Sequence, residues 1–265
     1  MPPTERGTVG ARILFYDLEV TPMLGWIYER FDANVIHVER ESYIMCFAYK
    51  WFGESGVHSV ALPDFADEYH NDPHDDGALV RKLWALLDQA DIVIAHNAGK
   101  FDNRVSSERF LTHRLGPPAP YKTVDTLTAA RRYFKNSSNS LDNLCTKLGI
   151  GSKPSETHSR LWHDCVGGDR EAWRKMVRYC KHDVELLEGL YLTLRPYIAN
   201  HPNVALLSGN LDACPKCGSN ALQARGLQRS SVATYQRVHC QDCGAWSRVR
   251  VSEQTGKPTH VNVTP

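Results

Sequence analysis

Carboxylates at three places in the chain have types and spacings that suit a site for hard metal ions. Asp17 and Glu19 are separated by one residue at the end of an apolar run, so both side chains project from the same face of a strand. Asp102 follows a second apolar run, and Tyr179 and Asp183 stand one helical turn apart. Carboxylates are preferred ligands of Mg²⁺ and Mn²⁺, and two such ions assist phosphodiester hydrolysis. Alone, each motif has a plainer interpretation: a solvated strand end, a helix N-cap and a surface helix pair.

Four cysteines near the C-terminus have the spacing of a structural zinc site. Cys214 and Cys217 form one Cys-x-x-Cys-Gly motif and Cys240 and Cys243 form another, with 22 residues between the pairs. Four thiolates in two such pairs bind Zn²⁺, and the metal supplies the folding energy of a module too small to fold on its own core. Disulfides or idle thiols are the alternatives. Buried thiols are expected for the remaining cysteines, which lack ligand spacing: Cys46, Cys145, Cys165 and Cys180.

An α/β framework is needed to bring these motifs together. The runs Arg12–Leu18 and Asp91–Ala95 are typical of buried strands, and Ser42–Phe52 with Val57–Leu62 predicts a hairpin. Apolar spacing predicts a long final helix from about Arg170 to Leu194. Further elements are expected at Asp76–Asp88, Asp102–Arg114, Lys122–Thr126, Leu127–Phe134 and Leu141–Leu148. This order predicts a mixed β-sheet flanked by helices, with a long loop between the first two strands.

Taken in order, the three acidic motifs resemble those of the DEDD superfamily of 3′–5′ exonucleases. The second motif reads Asn-x-x-x-Phe-Asp from Asn97 to Asp102, and the third reads Tyr-x-x-x-Asp. The third motif resembles that of the tyrosine subclass (DEDDy), to which ribonuclease D and the proofreading domains of family B polymerases belong. In the sister subclass a histidine stands where this chain has Arg178. The resemblance spans residues 12–195 and implies a ribonuclease H-like α/β fold.

The resemblance also implies a two-metal mechanism that uses Mg²⁺ or Mn²⁺ and releases nucleoside 5′-monophosphates. Asp17 would bridge the two metals. Glu19 and Asp183 would complete the first metal site, and Asp102 would hold the second. Tyr179 would orient the attacking water, because a phenol with an ordinary pKa of about 10 suits hydrogen bonding better than proton abstraction.

Contacts to the nucleic acid are expected from a few residues outside the acidic motifs. Asn97 is expected at the terminal nucleotide, and Arg131 and Arg132 are candidates for contacts to the phosphate backbone. A solvated helix face is the alternative for the two arginines. Phe101 is a candidate for stacking on a base, although packing in the core is the favoured interpretation.

The C-terminal cysteine module resembles a zinc ribbon and is more basic than the rest of the chain. From Val204 onward there are seven Lys and Arg against three Asp and Glu, whereas residues 1–203 have 24 against 27. The excess predicts nucleic-acid binding, and docking to a polymerase or another replication or repair protein is the alternative. The expected organisation is a flexible N-terminus (1–11), an exonuclease domain (12–200), a linker (201–212), a zinc ribbon (213–252) and a flexible tail (253–265).

Composition limits the classes of protein to which the chain can belong. Its 265 residues are 42% hydrophobic and 23% charged, which excludes a mainly disordered or collagen-like chain. No apolar run has the length of a membrane span, and the first residues lack a signal-peptide core, so a cytoplasmic location is expected. Within these limits, the resemblance to the DEDD superfamily implies a 3′–5′ exonuclease, and we expect it to act on single-stranded DNA or RNA. The alternative is a non-catalytic or partner-dependent nucleic-acid-binding protein, such as a proofreading subunit.

Overall fold

The apolar run that ends in Asp17 and Glu19 forms β1 (Ile13–Val20), the middle strand of a sheet in the computed structural model. The structure describes residues 10–29, 31, 34–153, 160–231 and 233–251. Almost all of the segments predicted to be flexible, 1–11 and 253–265, lie outside these residues. The described chain divides into two units: one is Arg12–Tyr191, and the other combines the residues from Leu192 onward with those before Arg12.

The mixed sheet predicted for the first unit is confirmed. The strands of this unit are β1, β2 (Leu24–Trp26), β3 (His37–Arg40), β4 (Ile44–Trp51), β5 (His58–Ala61), β6 (Ile92–Ala95) and β7 (Lys122–Asp125). Five of them form one sheet in the order β5-β4-β1-β6-β7. The predicted hairpin of β4 and β5 pairs antiparallel, as does β1 with β4, whereas β6 and β7 run parallel to β1 and to each other. Parallel strands need crossover connections, and helices supply them here.

Helices of the first unit follow the predicted order, with two additions. In chain order they are α1 (Ala66–Asn71), α2 (Gly77–Leu87), α3 (Asp102–Thr112), α4 (Thr126–Tyr133), α5 (Leu141–Lys147), α6 (Arg160–Val166) and α7 (Arg170–Leu194). The bounds of α7 are those predicted, whereas α1 and α6 were not predicted. None of the described helices is both long and apolar enough to cross a membrane.

The segment between β1 and β4 differs from the predicted long loop. It contains β2 and β3, which pair antiparallel with Leu24 opposite Arg40 and Trp26 opposite His37. This hairpin is mostly exposed, with Trp26 63% and Tyr28 87% accessible. Because little of it is buried, its strands lack the apolar alternation from which a half-buried strand is recognised.

The core of the first unit lies around β1 and the helix that covers it. Leu14 and Phe15 of β1 are fully buried, and the Phe15 ring meets Tyr191 of α7 edge-on, with 5.4 Å between ring centroids. Met176 and Leu190 of α7 are also fully buried. The helix therefore presents its apolar face to the interior and holds its polar side chains at fixed positions relative to β1.

The second unit is built around a small antiparallel sheet. Its elements are α8 (Val204–Leu207), β8 (Leu222–Arg229), β9 (Thr234–Cys240) and β10 (Trp246–Arg250). The strand order is β10-β9-β8, and the pairing of β8 with β9 is interrupted by a shift of register between Ala224 and Leu227.

Candidate active site

The central strand carries two acids on one face. Asp17 and Glu19 of β1 pair with positions occupied by small side chains in β4, Ala48 and Cys46 respectively. The intervening Leu18 is buried on the opposite face, as the alternation of a strand requires. The register shifts directly after Glu19, so regular pairing with β4 ends where the acids lie.

α7 brings the third acid to the same place. The carboxylate oxygens of Asp17, Glu19 and Asp183 lie within 4.8 Å of one another. The helix is tied to β1 by Cys180, whose thiol donates a hydrogen bond to the backbone carbonyl oxygen of Asp17 at 3.6 Å. Tyr179 stands one turn before Asp183 and lines the same cavity. Four of the five predicted catalytic residues therefore meet at one site: Asp17, Glu19, Tyr179 and Asp183.

Asp102 lies beside this group but does not join it. It is the first residue of α3, and only 2% of it is exposed. Among the described residues, Asp102 belongs neither to the set within 4.8 Å nor to the cavity lining. Its charge still acts on Asp17, whose pKa it raises. The Asp102 Oδ1 atom is buried and has no hydrogen-bond partner in the described part of the chain.

Burial and mutual repulsion raise the pKa values of these carboxyl groups. Burial is the largest cause for Asp17, followed by the charge of Glu19. Burial and then Asp183 raise the pKa of Glu19 to about 8, and burial raises the pKa of Asp102 to about 7. Burial also raises the pKa of Asp183, whose Oδ1 atom is buried without a described partner. Oxygen donors that lack partners and resist ionisation suit divalent cations such as Mg²⁺ or Mn²⁺, which would compensate their charge.

Lys153 is a member of this site that the sequence analysis did not identify. Its Nζ atom donates hydrogen bonds to Asp183 Oδ2 at 2.5 Å and to Tyr179 Oη at 2.7 Å. Burial lowers the pKa of Lys153, but the Asp183 charge more than reverses this effect. The Lys153 backbone N–H donates to Asp142 at 2.6 Å, which fixes the approach of the loop. Lys153 lies in a loop after α5, where no spacing or periodicity marks it.

Trp162 is the second such residue, and it lies on the unpredicted helix α6. Its side chain is hydrogen-bonded to Glu19, and this bond offsets part of the rise in the pKa of Glu19 that burial and Asp183 cause. Its ring meets Tyr179 edge-on, with centroids 6.2 Å apart and an interplanar angle of 73°. Trp162 therefore helps to orient both side chains, and its place could be found only from the tertiary packing of α6.

The acidic group opens into a cavity of about 860 Å³. Asn97, Phe101 and Arg131 line it, whereas Arg132 is not among the described lining residues. The Arg132 guanidinium lies 5.7 Å from the centroid of the Tyr133 ring. The favoured interpretation of Phe101 as a core residue is wrong, because it is 37% exposed and lines the cavity. Phe101 sits at the turn just before α3, outside the packed layer between helix and sheet.

A tight turn after β6 shapes one wall of this cavity. Asn97 has a φ of +74°, a left-handed conformation that asparagine tolerates better than most residues. Its backbone N–H donates to the Asp125 carboxylate at 3.0 Å. Asp125 also caps α4 by accepting from the backbone of Leu127 and Thr128. One carboxylate thus joins the turn after β6 to the start of α4, the helix that carries Arg131.

In the second unit the four cysteines predicted as ligands come together: Cys214, Cys217, Cys240 and Cys243. Their sulfur atoms lie within 4.8 Å of one another, and none of them is in a disulfide. Each pair closes a similar turn, in which Gly218 and Gly244 have φ values of +78° and +71° and donate backbone hydrogen bonds to Cys214 and Cys240. Burial raises the pKa of Cys240, but backbone hydrogen bonds from Cys243 and Asp242 outweigh it and bring the value to about 7. The cluster is compatible with a zinc ribbon. The four cysteines of the first unit are buried thiols, as predicted.

Fold and site together define an α/β protein with an acidic centre suited to divalent cations. A family model of the RNase H superfamily matches residues 38–195, which is more than half of the chain. The chain belongs to the RNase H superfamily. The match includes Asp102, Tyr179 and Asp183, whereas Asp17 and Glu19 precede it. No curated protein matches the chain.

Membership in this superfamily indicates a nuclease or another phosphodiester hydrolase with a nuclease-type fold. Nucleases with this fold usually use divalent metals. The acidic centre is compatible with Mg²⁺ or Mn²⁺ for this reason as well as for its donor chemistry.

Proposed function

We propose that the chain is a metal-dependent 3′–5′ exonuclease of the DEDDy type that hydrolyses phosphodiester bonds of DNA or RNA and releases nucleoside 5′-monophosphates. One observation carries the proposal: the carboxylates of Asp17, Glu19 and Asp183 converge within 4.8 Å at a cavity that Tyr179 also lines. These are the first and third motifs of the resemblance, and they come from distant parts of the chain.

Asp17, Glu19, Asp102 and Asp183 are the residues that would hold two Mg²⁺ or Mn²⁺ ions. The raised pKa values of all four support this assignment, as do the Oδ1 atoms of Asp102 and Asp183, which have no hydrogen-bond partner among the described residues. When bound, two such ions neutralise charge on the scissile phosphate and activate water. Once cations occupy the site, their charge would replace that of the Lys153 ammonium, and the Asp183 carboxylate could then bind metal.

Tyr179 would position the attacking water. Burial raises the pKa of Tyr179 to about 12, so its hydroxyl stays protonated at neutral pH and acts through hydrogen bonds. Trp162 fixes the ring from one side, and Lys153 donates to the hydroxyl oxygen. The phenolic O–H donates to the Asp183 carboxylate, and it would turn to a water or a phosphate oxygen once cations bind Asp183.

Substrate contacts are proposed for residues that line the cavity. Asn97 and Arg131 offer an amide and a guanidinium for the sugar-phosphate backbone, and Phe101 offers an exposed ring for the terminal base. Arg132, further from the cavity, would contact phosphates only along a longer strand.

The four C-terminal cysteines would hold one structural Zn²⁺. We propose the domain boundaries given by the sequence: residues 12–200 for the exonuclease, 201–212 for a linker and 213–252 for the zinc ribbon. A second candidate function, nucleic-acid binding without catalysis or with activity only beside a polymerase, remains the alternative that experiment must distinguish.

The test is digestion of 5′-labelled single-stranded DNA and RNA of matched sequence in Mg²⁺ or Mn²⁺. The wild type should shorten at least one of the two, and Asp17→Ala should abolish this activity. Asp67→Ala, which changes an exposed carboxylate of α1, is the matched control and should retain it. If the wild type binds the strands but cleaves neither, the result would contradict the proposal and favour the non-catalytic or partner-dependent alternative.

A further inference from the structure

One face of the sheet in the second unit carries alternating basic and aromatic side chains. The antiparallel register of β9 and β10 places Trp246 opposite His239, Arg248 opposite Arg237 and Arg250 opposite Tyr235. Because side chains alternate between the faces of a strand, all six project from the same face. We call this surface the basic face, and its members are Tyr235, Arg237, His239, Trp246, Arg248 and Arg250.

Rings and guanidinium groups on the basic face are already in contact with each other. The Arg248 guanidinium lies 4.2 Å from the centroid of the Tyr235 ring, a cation–π distance. The rings of His239 and Trp246 lie 4.7 Å apart at an angle of 38°. Trp246 is nevertheless 54% exposed, so much of its indole remains open to a further planar group.

The basic face borders a groove whose charge has one sign. A cavity of about 590 Å³ is lined by Arg237, Trp246 and Arg248 of this face together with Lys216 and Gln228. No acidic residue is among the lining residues in the described part of the chain. A ligand that fits such a groove should carry repeated negative charge and flat apolar surfaces.

We propose that the basic face binds single-stranded nucleic acid, with bases stacked on Trp246 and phosphates paired with Arg237, Arg248 and Arg250. Alternating stacking and cationic groups match the alternation of bases and phosphates along an unpaired strand. A duplex fits less well, because its bases already stack on one another. An acidic protein segment would pair with the arginines but would offer no planar group to stack on the exposed indole of Trp246.

This binding site goes beyond the proposed hydrolysis, since it involves none of the residues assigned to the acidic centre. It would hold a strand whether or not the chain cleaves it. Binding without sequence preference is expected, because every base offers a stacking surface and every nucleotide a phosphate.

The experiment measures binding of a fluorescent single-stranded oligonucleotide to the full chain by anisotropy over a series of salt concentrations. All proteins carry Asp17→Ala, so the strand stays intact. Adding Trp246→Ala should weaken binding about tenfold, as expected for the loss of one base stack. Adding Arg248→Gln should weaken binding and reduce the slope of log K against log salt by about 0.7.

Arg229→Gln is the matched control, because Arg229 pairs with Thr234 and therefore lies on the opposite face of the same sheet. It removes the same charge and should change affinity by less than about twofold. Zinc content equal to that of the parent shows that a variant has folded. If Trp246→Ala loses zinc, the affinity and salt dependence of Arg248→Gln decide the test.

Two results would overturn the proposal. In one, Trp246→Ala and Arg248→Gln bind the strand as tightly as the parent, which would indicate that the basic face binds a protein partner instead. In the other, a blunt duplex of the same sequence binds more tightly than the single strand. A wild-type chain that binds through this face but hydrolyses nothing would overturn the proposed nuclease function and leave this proposal intact.

Discussion

Replacing the Glu19 carboxylate with its neutral isostere should stabilise the chain in the absence of Mg²⁺ and Mn²⁺. The change Glu19→Gln preserves the shape of the side chain and an oxygen that can accept from Trp162. It removes one negative charge from a group in which burial and the charge of Asp183 raise the pKa of Glu19 from its ordinary value of 4.5 to about 8. A buried carboxyl group with a raised pKa destabilises the folded chain at pH values above its pKa in the unfolded chain.

The size of the effect follows from the raised pKa of Glu19. Between pH 4.5 and 8 the folded chain retains a proton that the unfolded chain has lost, so the free energy of unfolding falls as pH rises. The slope is about 1.4 kcal/mol per pH unit, which amounts to about 3 kcal/mol between pH 4.5 and 7. Glu19→Gln removes this loss. The variant should therefore equal the wild type below about pH 4 and exceed it by about 3 kcal/mol at pH 7.

The assay is urea denaturation followed by tryptophan fluorescence at several pH values, without added Mg²⁺ or Mn²⁺. The control is Glu171→Gln, which changes an exposed glutamate at the start of α7 and should alter stability by less than about 0.5 kcal/mol. Equal unfolding free energies of Glu19→Gln and wild type at pH 7 would show that the Glu19 carboxyl group does not retain its proton in the folded chain at this pH.

Adding a divalent cation should reduce the difference in stability between these two proteins. A cation that binds only the folded wild type stabilises it by about 3 kcal/mol at a hundredfold excess over the dissociation constant. Glu19→Gln lacks one negatively charged carboxylate ligand and should gain less stability from the cation. A gain in stability that is the same for both proteins would show that the cation binds elsewhere.

Three further perturbations test other parts of the structure. Asp76→Ala should lower the free energy of unfolding by about 3–5 kcal/mol in urea, because it leaves Arg109 buried without the carboxylate that it shares with His113; a loss below about 1 kcal/mol would contradict this. Tyr179→Phe should slow hydrolysis of a labelled strand about a hundredfold while its affinity for the strand is unchanged, and an undiminished rate would remove Tyr179 from the mechanism. The purified chain should hold one zinc ion that Cys214→Ser releases, as measured by a colorimetric metal assay, and a chain without zinc would contradict the ribbon assignment.

Local patterns were sufficient to predict the framework and much of its candidate site. β6 and α7 are marked by apolar runs and periodic spacing, which act over a few residues and depend little on the rest of the chain. Asp17 and Glu19 are adjacent on one strand face for the same reason. The meeting of these acids with Asp183 required the resemblance to a known family, because no local rule relates residues so distant in the chain.

The residues that were missed owe their positions to tertiary packing. Lys153 enters the site from a loop that Asp142 holds, and Trp162 enters from the short helix α6. Phe101 was misjudged because its apolar type predicts burial, whereas its turn before α3 places it at the cavity. A segment of mostly exposed residues such as β2 and β3 also gives no periodic signal. For Lys153 and Trp162 the deciding contacts, with Asp183 and Glu19 respectively, lie far away in sequence.

If the acidic centre removes nucleotides from a 3′ end, it requires a free end and should leave a closed strand intact. A linear single strand labelled at its 5′ end and a covalently closed circle of the same sequence are each incubated with the wild type in Mg²⁺ or Mn²⁺. The wild type should produce a ladder that shortens from the 3′ end of the linear strand, release nucleoside 5′-monophosphates and leave the circle intact. Cleavage of the circle, or loss of the 5′ label as the first product, would rule out a 3′–5′ exonuclease.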